Sequence, residues 1–148
     1  MATAPQVGIT FCLAQFRRRV GDYGQNGTTY TYTDQFLTGL VSDAVNEVEQ
    51  EWTRGYYIDP ITNDFNMPIT PQDSALFSLR ANILFASAMK EGSDRNNLNF
   101  SKTRLHIDNV QQSKDHAMQL ARLQAEYQRM MWNMYYRRQP GVLVQGGF

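Results

Sequence analysis

Histidine is the residue type with the widest chemical range in this sequence, and there are two of them. His106 and His116 lie close in sequence to Asp108 and Asp115, so a metal site of two histidines and a carboxylate is conceivable. Two histidine ligands share a helix face when they are four residues apart, and this pair is separated by more than that. The spacing therefore favours histidines without a metal, and no residue pattern indicates a cofactor.

The single cysteine, Cys12, is the most obvious candidate nucleophile, and it would need a histidine beside it as a base. It falls on a partly apolar segment, where a lone cysteine is typically a small packed hydrophobe. One cysteine also excludes an intrachain disulfide and a cysteine-based zinc site. Nucleophilic catalysis is therefore not indicated.

Paired carboxylates suit general acid–base chemistry, and Glu47, Glu49 and Glu51 form such a cluster. They lie mostly on the polar side of an amphipathic segment, which is typical of a solvated acidic face. Residues 59–64 resemble a calcium loop, but Ile61 occupies a ligand position and the turn glycine is missing. No residues combine reactive groups with suitable spacing, so we expect that the protein is not an enzyme.

Charge is unevenly distributed along the 148 residues, although fourteen basic and fourteen acidic side chains cancel. Residues 1–21 hold three bases and no acid, residues 22–73 hold nine acids and one base, and residues 74–148 hold ten bases and five acids. Zero net charge disfavours a protein that binds nucleic acid through bulk electrostatics. The hydrophobic share of 42% is enough for one domain with a real core.

Two arginine clusters, Arg17–Arg19 and Arg137–Arg138, are the densest basic groups in the sequence. One interpretation is contact with nucleic acid or with an acidic neighbour. The other is that both clusters lie at solvated helix ends, where Arg137 and Arg138 also interact favourably with a helix dipole. The sequence leaves both interpretations open.

The spacing of apolar residues predicts three helices in the first two thirds of the chain. The first covers residues 10–20 and carries Arg17–Arg19 around its polar side. Thr33 is a good cap for the second, residues 34–52, which has one apolar face. The third, residues 71–90, is apolar almost all round, which is typical of a helix buried on every side.

Longer connections and a final helix complete the prediction. The loop 54–70 is unusually long for a compact domain, and long ordered loops are often functional. Residues 100–107 alternate between apolar and polar types, which permits a short strand or extended arm. Asp108 can cap a last helix that runs to about Arg138, which would make it about 45 Å long.

The last predicted helix has two apolar stripes on opposite sides. The first is expected to pack on the bundle, and the second, which contains an indole and a phenol, to contact another molecule. The first stripe comprises Leu120, Leu123, Tyr127, Met130, Met131 and Met134, and the second comprises Met118, Ala125, Trp132 and Tyr136. The apolar tail that follows has no local core to join, so it could add as a strand to another subunit or extend freely.

Together these elements predict an all-α fold: a small helical bundle with a long C-terminal helix, a short extended arm or hairpin, and an extended C-terminal tail. Residues 1–138 form a single domain and residues 139–148 form the tail. No apolar run approaches the roughly 18 residues that a membrane span needs, so no membrane association is expected. The absence of a signal-like N-terminus and of paired cysteines favours a cytoplasm-like folding compartment.

The order of these features resembles one protein family. The pattern consists of the helix end from Phe16 to Asp22, a Gly/Asn loop, the sequence from Tyr32 to Leu37 that opens a helix, and its continuation from Ser42 to Glu47. The later arm and long helix, residues 100–127, continue the similarity. The sequence resembles the head–tail adaptor (connector) proteins of tailed bacteriophages over roughly residues 10–138.

The resemblance implies a structural virion protein that is made in the host cytoplasm and assembles into a ring, commonly of twelve copies, at the neck below the portal vertex. The ring would bind the portal protein on one side and the next neck or tail protein on the other. It would line the channel through which double-stranded DNA passes without sequence-specific contacts. Family members often send a C-terminal segment toward the portal, which makes residues 139–148 the natural candidate for that contact.

Two sets of residues are candidates for the contacts that such a ring needs, because a ring requires two different, complementary faces on each subunit. One set is expected at the interface with a subunit or the portal: Trp132, Tyr136, Arg137, Arg138, Val142, Leu143, Val144 and Phe148. The other is expected to make charged contacts between subunits or with the channel: Arg17, Arg18, Arg19, Asp43 and Glu47.

Two other functions remain open from the sequence. A tail-terminator or stopper ring would occupy the same part of the virion, but those folds are usually rich in strands and this chain is predicted to be helical. A small helical regulator that binds a peptide or DNA would need a basic face on one helix. Arg122, Arg129 and Arg137 offer only a sparse one.

Overall fold

The computed structural model describes residues 6–22, 30, 32–99 and 104–136, and the side chains of residues 90–113 and 136 lie outside the description. The fold is all-α, with four helices and one two-stranded hairpin in these ranges, as predicted. The helices are α1 (Ile9–Val20), α2 (Asp34–Glu51), α3 (Pro71–Asn99) and α4 (Arg104–Met131), and one π-helical turn (Trp132–Tyr136) continues α4. Among the described helices, none combines the length and the apolarity that crossing a bilayer demands.

Helix α1 ends where the sequence places a glycine. Gly21 has a φ of 75°, a left-handed conformation that favours glycine, and its N–H lies 3.4 Å from the carbonyl oxygen of Arg18. The next N–H, of Asp22, donates to the carbonyl of Arg17 at 2.9 Å. These bonds close the helix and turn the chain toward α2.

Helix α2 begins at the predicted cap. The Thr33 hydroxyl accepts a hydrogen bond from the N–H of Phe36 at 3.1 Å, which satisfies one of the free donors of the first turn. Its apolar face packs on the core, with Leu40 partly buried at its edge, which confirms the amphipathic prediction. The buried residues of α2 are Leu37, Val41, Ala44, Val45 and Val48.

Helix α3 is the centre of the bundle and packs against α1, α2 and α4. Because it has neighbours on several sides, its apolar residues need not follow a single stripe, as the sequence predicted. Its buried apolar residues are Leu76, Phe77, Leu79, Ala81, Ile83 and Ala86. The helix continues to Asn99, beyond the expected end near Lys90.

The extended arm predicted at residues 100–107 is wrong for residues 104–107, which form the first turn of α4, whereas residues 100–103 lie outside the described part. Two alternating apolar residues, Leu105 and Ile107, are too few to specify a strand. Extending a nucleated helix by one turn costs little free energy. Asp108 accordingly lies within α4 rather than capping it.

The hairpin forms instead within the long loop 54–70. Strands β1 (Ile58–Asp59) and β2 (Asp64–Phe65) pair antiparallel. The Asp64 carboxylate fixes the hairpin to α1 by accepting a hydrogen bond from the N–H of Ile9 at 2.8 Å. The Phe65 ring is buried and stacks on Phe77 of α3 with centroids 5.7 Å apart, so strand β2 attaches the hairpin to both α1 and α3.

Candidate subunit interface

The inner face of α4 packs on the bundle through the first predicted stripe. Leu123, Tyr127, Met131 and Met134 are all buried. The Tyr127 hydroxyl donates to Glu51 of α2 at 3.3 Å. Burial, and then the nearby Glu51 carboxylate, raise the pKa of Tyr127 well above its ordinary value, so this phenol remains a neutral donor.

The outer face of α4 is exposed, which confirms the position predicted for the second stripe. Met118 is 65% exposed and Trp132 is 55% exposed, values that are high for such large apolar side chains. Ala125 lies between them and is also exposed, as are Arg122 and Arg129. An exposed face that mixes large apolar groups with arginines has the composition of a protein interface.

The structure does not describe the remaining predicted anchors. The backbone of Tyr136 belongs to the π-helical turn, but its side chain lies outside the description. The other predicted anchors lie outside the described residues in both backbone and side chain: Arg137, Arg138, Val142, Leu143, Val144 and Phe148. Their roles stay predictions from the sequence.

The expectation that Arg17 lies on the polar side of α1 is wrong. Its side chain is 9% exposed, and its guanidinium lies 2.5 Å from a carboxylate oxygen of Asp22 and 2.5 Å from one of Asp34. It also donates to the carbonyl of Tyr32 at 3.0 Å. Arg17 is buried because carboxylates on both sides of the loop neutralise its charge, and it therefore joins the end of α1 to the start of α2.

The other charged candidates divide between internal and exposed positions. Arg19 pairs with Glu126 of α4 at 3.3 Å, and Glu47 pairs with Arg80 of α3 at 2.7 Å, so both contribute to contacts within the subunit. Arg18 and Asp43 are exposed. Of the five charged candidates, these two remain the most accessible for contact with another molecule.

A groove of about 760 Å³ runs between α2 and the hairpin, and sequence reasoning did not find it. Small side chains of α2 form its floor, among them Thr38, Gly39 and Ser42, and hairpin residues that include Pro60 form its wall. A Cβ atom at Gly39 would meet nothing within 4 Å. Glycine inside a helix costs roughly 0.5–1 kcal/mol relative to alanine, and no contact with a described residue requires it here. The sequence signal that could have pointed to this groove is Gly39 itself, a glycine within the predicted helix 34–52.

A charged cluster lies near the end of α2. The Arg54 guanidinium lies 3.6 Å from the Trp52 ring centroid and 2.5 Å from a carboxylate oxygen of Asp73. One oxygen of Glu49 accepts the N–H groups of Arg54 and Gly55 at 2.7 and 2.8 Å. The Thr70 hydroxyl also donates to Asp73, at 2.9 Å, so these contacts join the end of α2 to the start of α3.

Cys12 is completely buried, as expected for a packed cysteine. Its thiol lies 3.7 Å from the carbonyl oxygen of Ser74, and burial raises its pKa to about 12. We expect that a thiol reagent at pH 8 labels the native protein at least 100-fold more slowly than the protein in denaturant, because the thiolate is the reactive form. Labelling at equal rates would show that Cys12 is accessible.

A metal-ligand cluster is not present among the described residues, in the sense of three or more histidine, cysteine or carboxylate side chains in position to share an ion. The His106 side chain lies outside the description, so the proposed pairing of His106 with His116 is not tested. In the hairpin, Asp59 and Asp64 accept backbone hydrogen bonds from Ile61 and Phe65 at 2.8 and 2.7 Å. Their oxygens stabilise the turn.

Protein-family models, curated protein sequences and solved structures were each compared with this chain, and none of them matches it. The inference of function therefore depends on the surfaces described above.

Proposed function

We propose that the protein is a structural subunit of a bacteriophage virion, a head-to-tail adaptor that assembles into a ring between the portal and the next neck or tail protein and surrounds the DNA channel. The observation that carries the proposal is the outer face of α4. A long helix that buries one apolar face and exposes another, with Met118 and Trp132 on it, is suited to joining subunits.

The distribution of charge supports assembly in a ring. The exposed side of α2 carries Asp43 and the exposed side of α4 carries Arg122 and Arg129. Complementary charges on two different faces favour a heterologous contact, which closes into a ring when the rotation between subunits allows it. Such charges contribute to register more than to affinity.

A structural role, rather than an enzymatic one, is also part of the proposal. The charged groups of the described core are engaged with each other: Arg17 with Asp22, and Arg54 with Asp73. The helical fold favours an adaptor over a strand-rich terminator or stopper ring. The exposed arginines of α4 are too widely spaced for a DNA-reading face, which disfavours a DNA-binding regulator.

Light scattering coupled to size-exclusion chromatography, with negative-stain microscopy, tests the proposal. We expect the 17.0 kDa chain, alone or mixed with portal rings from the same genome, to form rings of roughly 200 kDa for twelve copies. Portal rings that carry an added ring of density would support the assignment. A chain that remains monomeric at high concentration and does not bind portal rings would contradict it.

A further inference from the structure

We propose that the groove between α2 and the hairpin is the receptor for the outer face of α4 of a second copy of this chain, with Trp132 of one copy seated over Gly39 of the next. The inference deepens the proposed function and rests on it for the existence of a ring. It assigns a specific pair of surfaces to the contact between neighbouring subunits.

The first argument is the shape of the groove. Gly39 lies in the middle of α2 with open space above it, and Thr38 and Ser42 beside it are also small. Small side chains let a second helix approach closely, and a groove of about 760 Å³ has room for a tryptophan side chain and its helical neighbours. No residue that the structure describes occupies that space, so the described part of the subunit leaves it open to another chain.

The second argument is the shape of the face that would enter. Met118, Ala125 and Trp132 recur every seven residues, so they follow one line along the outside of α4. The large residues stand at its two ends and the alanine lies between them, which leaves Trp132 as a projecting group near the end of the helix. The Trp132 indole is 55% exposed and would pack against Gly39 of the neighbouring copy. A large side chain opposite a small one lets two helices pack closely.

The third argument is charge. The Asp34 side chain is 78% exposed at the edge of the groove even though it contacts Arg17, and Asp43 is exposed one turn after Gly39. On α4, Arg129 is exposed one turn before Trp132. If the two helices run antiparallel, Trp132 over Gly39 brings Arg129 level with Asp43, because three residues on one helix and four on the other span similar lengths.

The two surfaces are different, which decides the geometry of the assembly. A contact between α2 of one copy and α4 of the next leaves the first copy with a free α4 face and the second with a free groove. Such a heterologous contact propagates around a ring, whereas a self-complementary patch would stop at a dimer. The occupant with the right shape and charge is thus a second copy.

Gly39→Leu tests the groove directly. Its side chain enters space that no described residue occupies, and leucine favours a helix more than glycine does, so the variant should fold with the parent's circular dichroism and melt at the same or a higher temperature. Self-association should weaken about thirty-fold or more. Gln124→Leu is the matched control, because Gln124 is exposed on α4 but lies to the side of the line through Ala125 and Trp132. Assembly of Gly39→Leu at the parent's affinity would overturn the proposal.

Charge reversal tests the register. Asp43→Arg or Arg129→Asp alone should weaken self-association about five-fold, as expected for an exposed pair, and the two substitutions combined should restore most of it. Additive weakening in the double variant would show that the two residues do not meet.

Cross-linking separates this inference from the proposed function. In this register Asn46, seven residues after Gly39, is level with Ala125, seven residues before Trp132, and both are exposed. Chains carrying Asn46→Cys and Ala125→Cys are mixed and treated with a short bismaleimide, with Gln124→Cys replacing Ala125→Cys as the control; native Cys12 is buried. Rings that form without the Asn46–Ala125 cross-link would overturn the interface and leave the adaptor role intact. If the cross-link forms in assemblies that do not bind portal rings, the result would support the interface and contradict the adaptor role. A chain that is monomeric both alone and with portal rings would overturn both.

Discussion

Replacing Arg17 by methionine is expected to lower the free energy of unfolding by about 3–5 kcal/mol at neutral pH. The substitution preserves much of the side-chain volume but leaves the Asp22 carboxylate, whose side chain is 1% exposed, without its cation. The N–H of Tyr32 also donates to this carboxylate, at 3.2 Å, but a neutral donor does not replace a cation. A buried carboxylate that has lost its charge partner is strongly destabilising.

Arg18→Met is the matched control for this prediction. It makes the same chemical change at the next residue of α1, but Arg18 is exposed, so a change within about 0.5 kcal/mol is expected. Urea denaturation of the two variants measures both effects. Equal stability of the two variants would mean that the pairing of Arg17 with Asp22 and Asp34 contributes no net stability.

Truncation of Phe77 to alanine is the second large effect, with an expected loss of about 3–5 kcal/mol. Phe77 is completely buried in α3. Its ring stacks on Phe65 of the hairpin at 5.7 Å and meets Tyr56 edge-on at 5.8 Å. Removing the ring therefore leaves a cavity where α3 holds the 54–70 loop in place.

Phe11→Ala gives the comparison for Phe77→Ala. Phe11 is 40% exposed on α1, so the same truncation there removes less buried surface and creates no enclosed cavity. We expect it to cost less than half as much, again measured by denaturation. If Phe77→Ala proved no more damaging than Phe11→Ala, the 54–70 loop would not depend on this aromatic contact.

The helices were predictable because their signals are local. Thr33 caps α2, Gly21 ends α1, and the apolar face of α2 repeats at the helical period, so each can be recognised from a few neighbouring residues. The arm predicted at residues 100–107 was wrong at residues 104–107, because its signal was also local. An alternation over only two apolar positions is a weak local signal, and the helix that follows extended through residues 104–107.

The ion pairs were not predictable from spacing. Periodicity places Arg17 near the polar side of α1, and only the folded chain brings Asp34 within 2.5 Å of it. Glu47 likewise belongs to a polar side in sequence terms, yet it meets Arg80 from another helix at 2.7 Å. Contacts between residues that are distant in sequence depend on how the helices cross. The periodicity of a single helix carries no information about that crossing.

The sequence by itself determined three things: an all-α bundle, the two-sided character of the last helix, and the separation of acidic and basic segments. These follow from composition and from patterns that repeat every three to four residues. The tertiary structure decided which charged side chains form ion pairs within the subunit and which remain on its surface. It also placed Gly39 at the floor of a groove. The physical reason is that burial and pairing are properties of packed helices, because a charge leaves water only where another element supplies its partner.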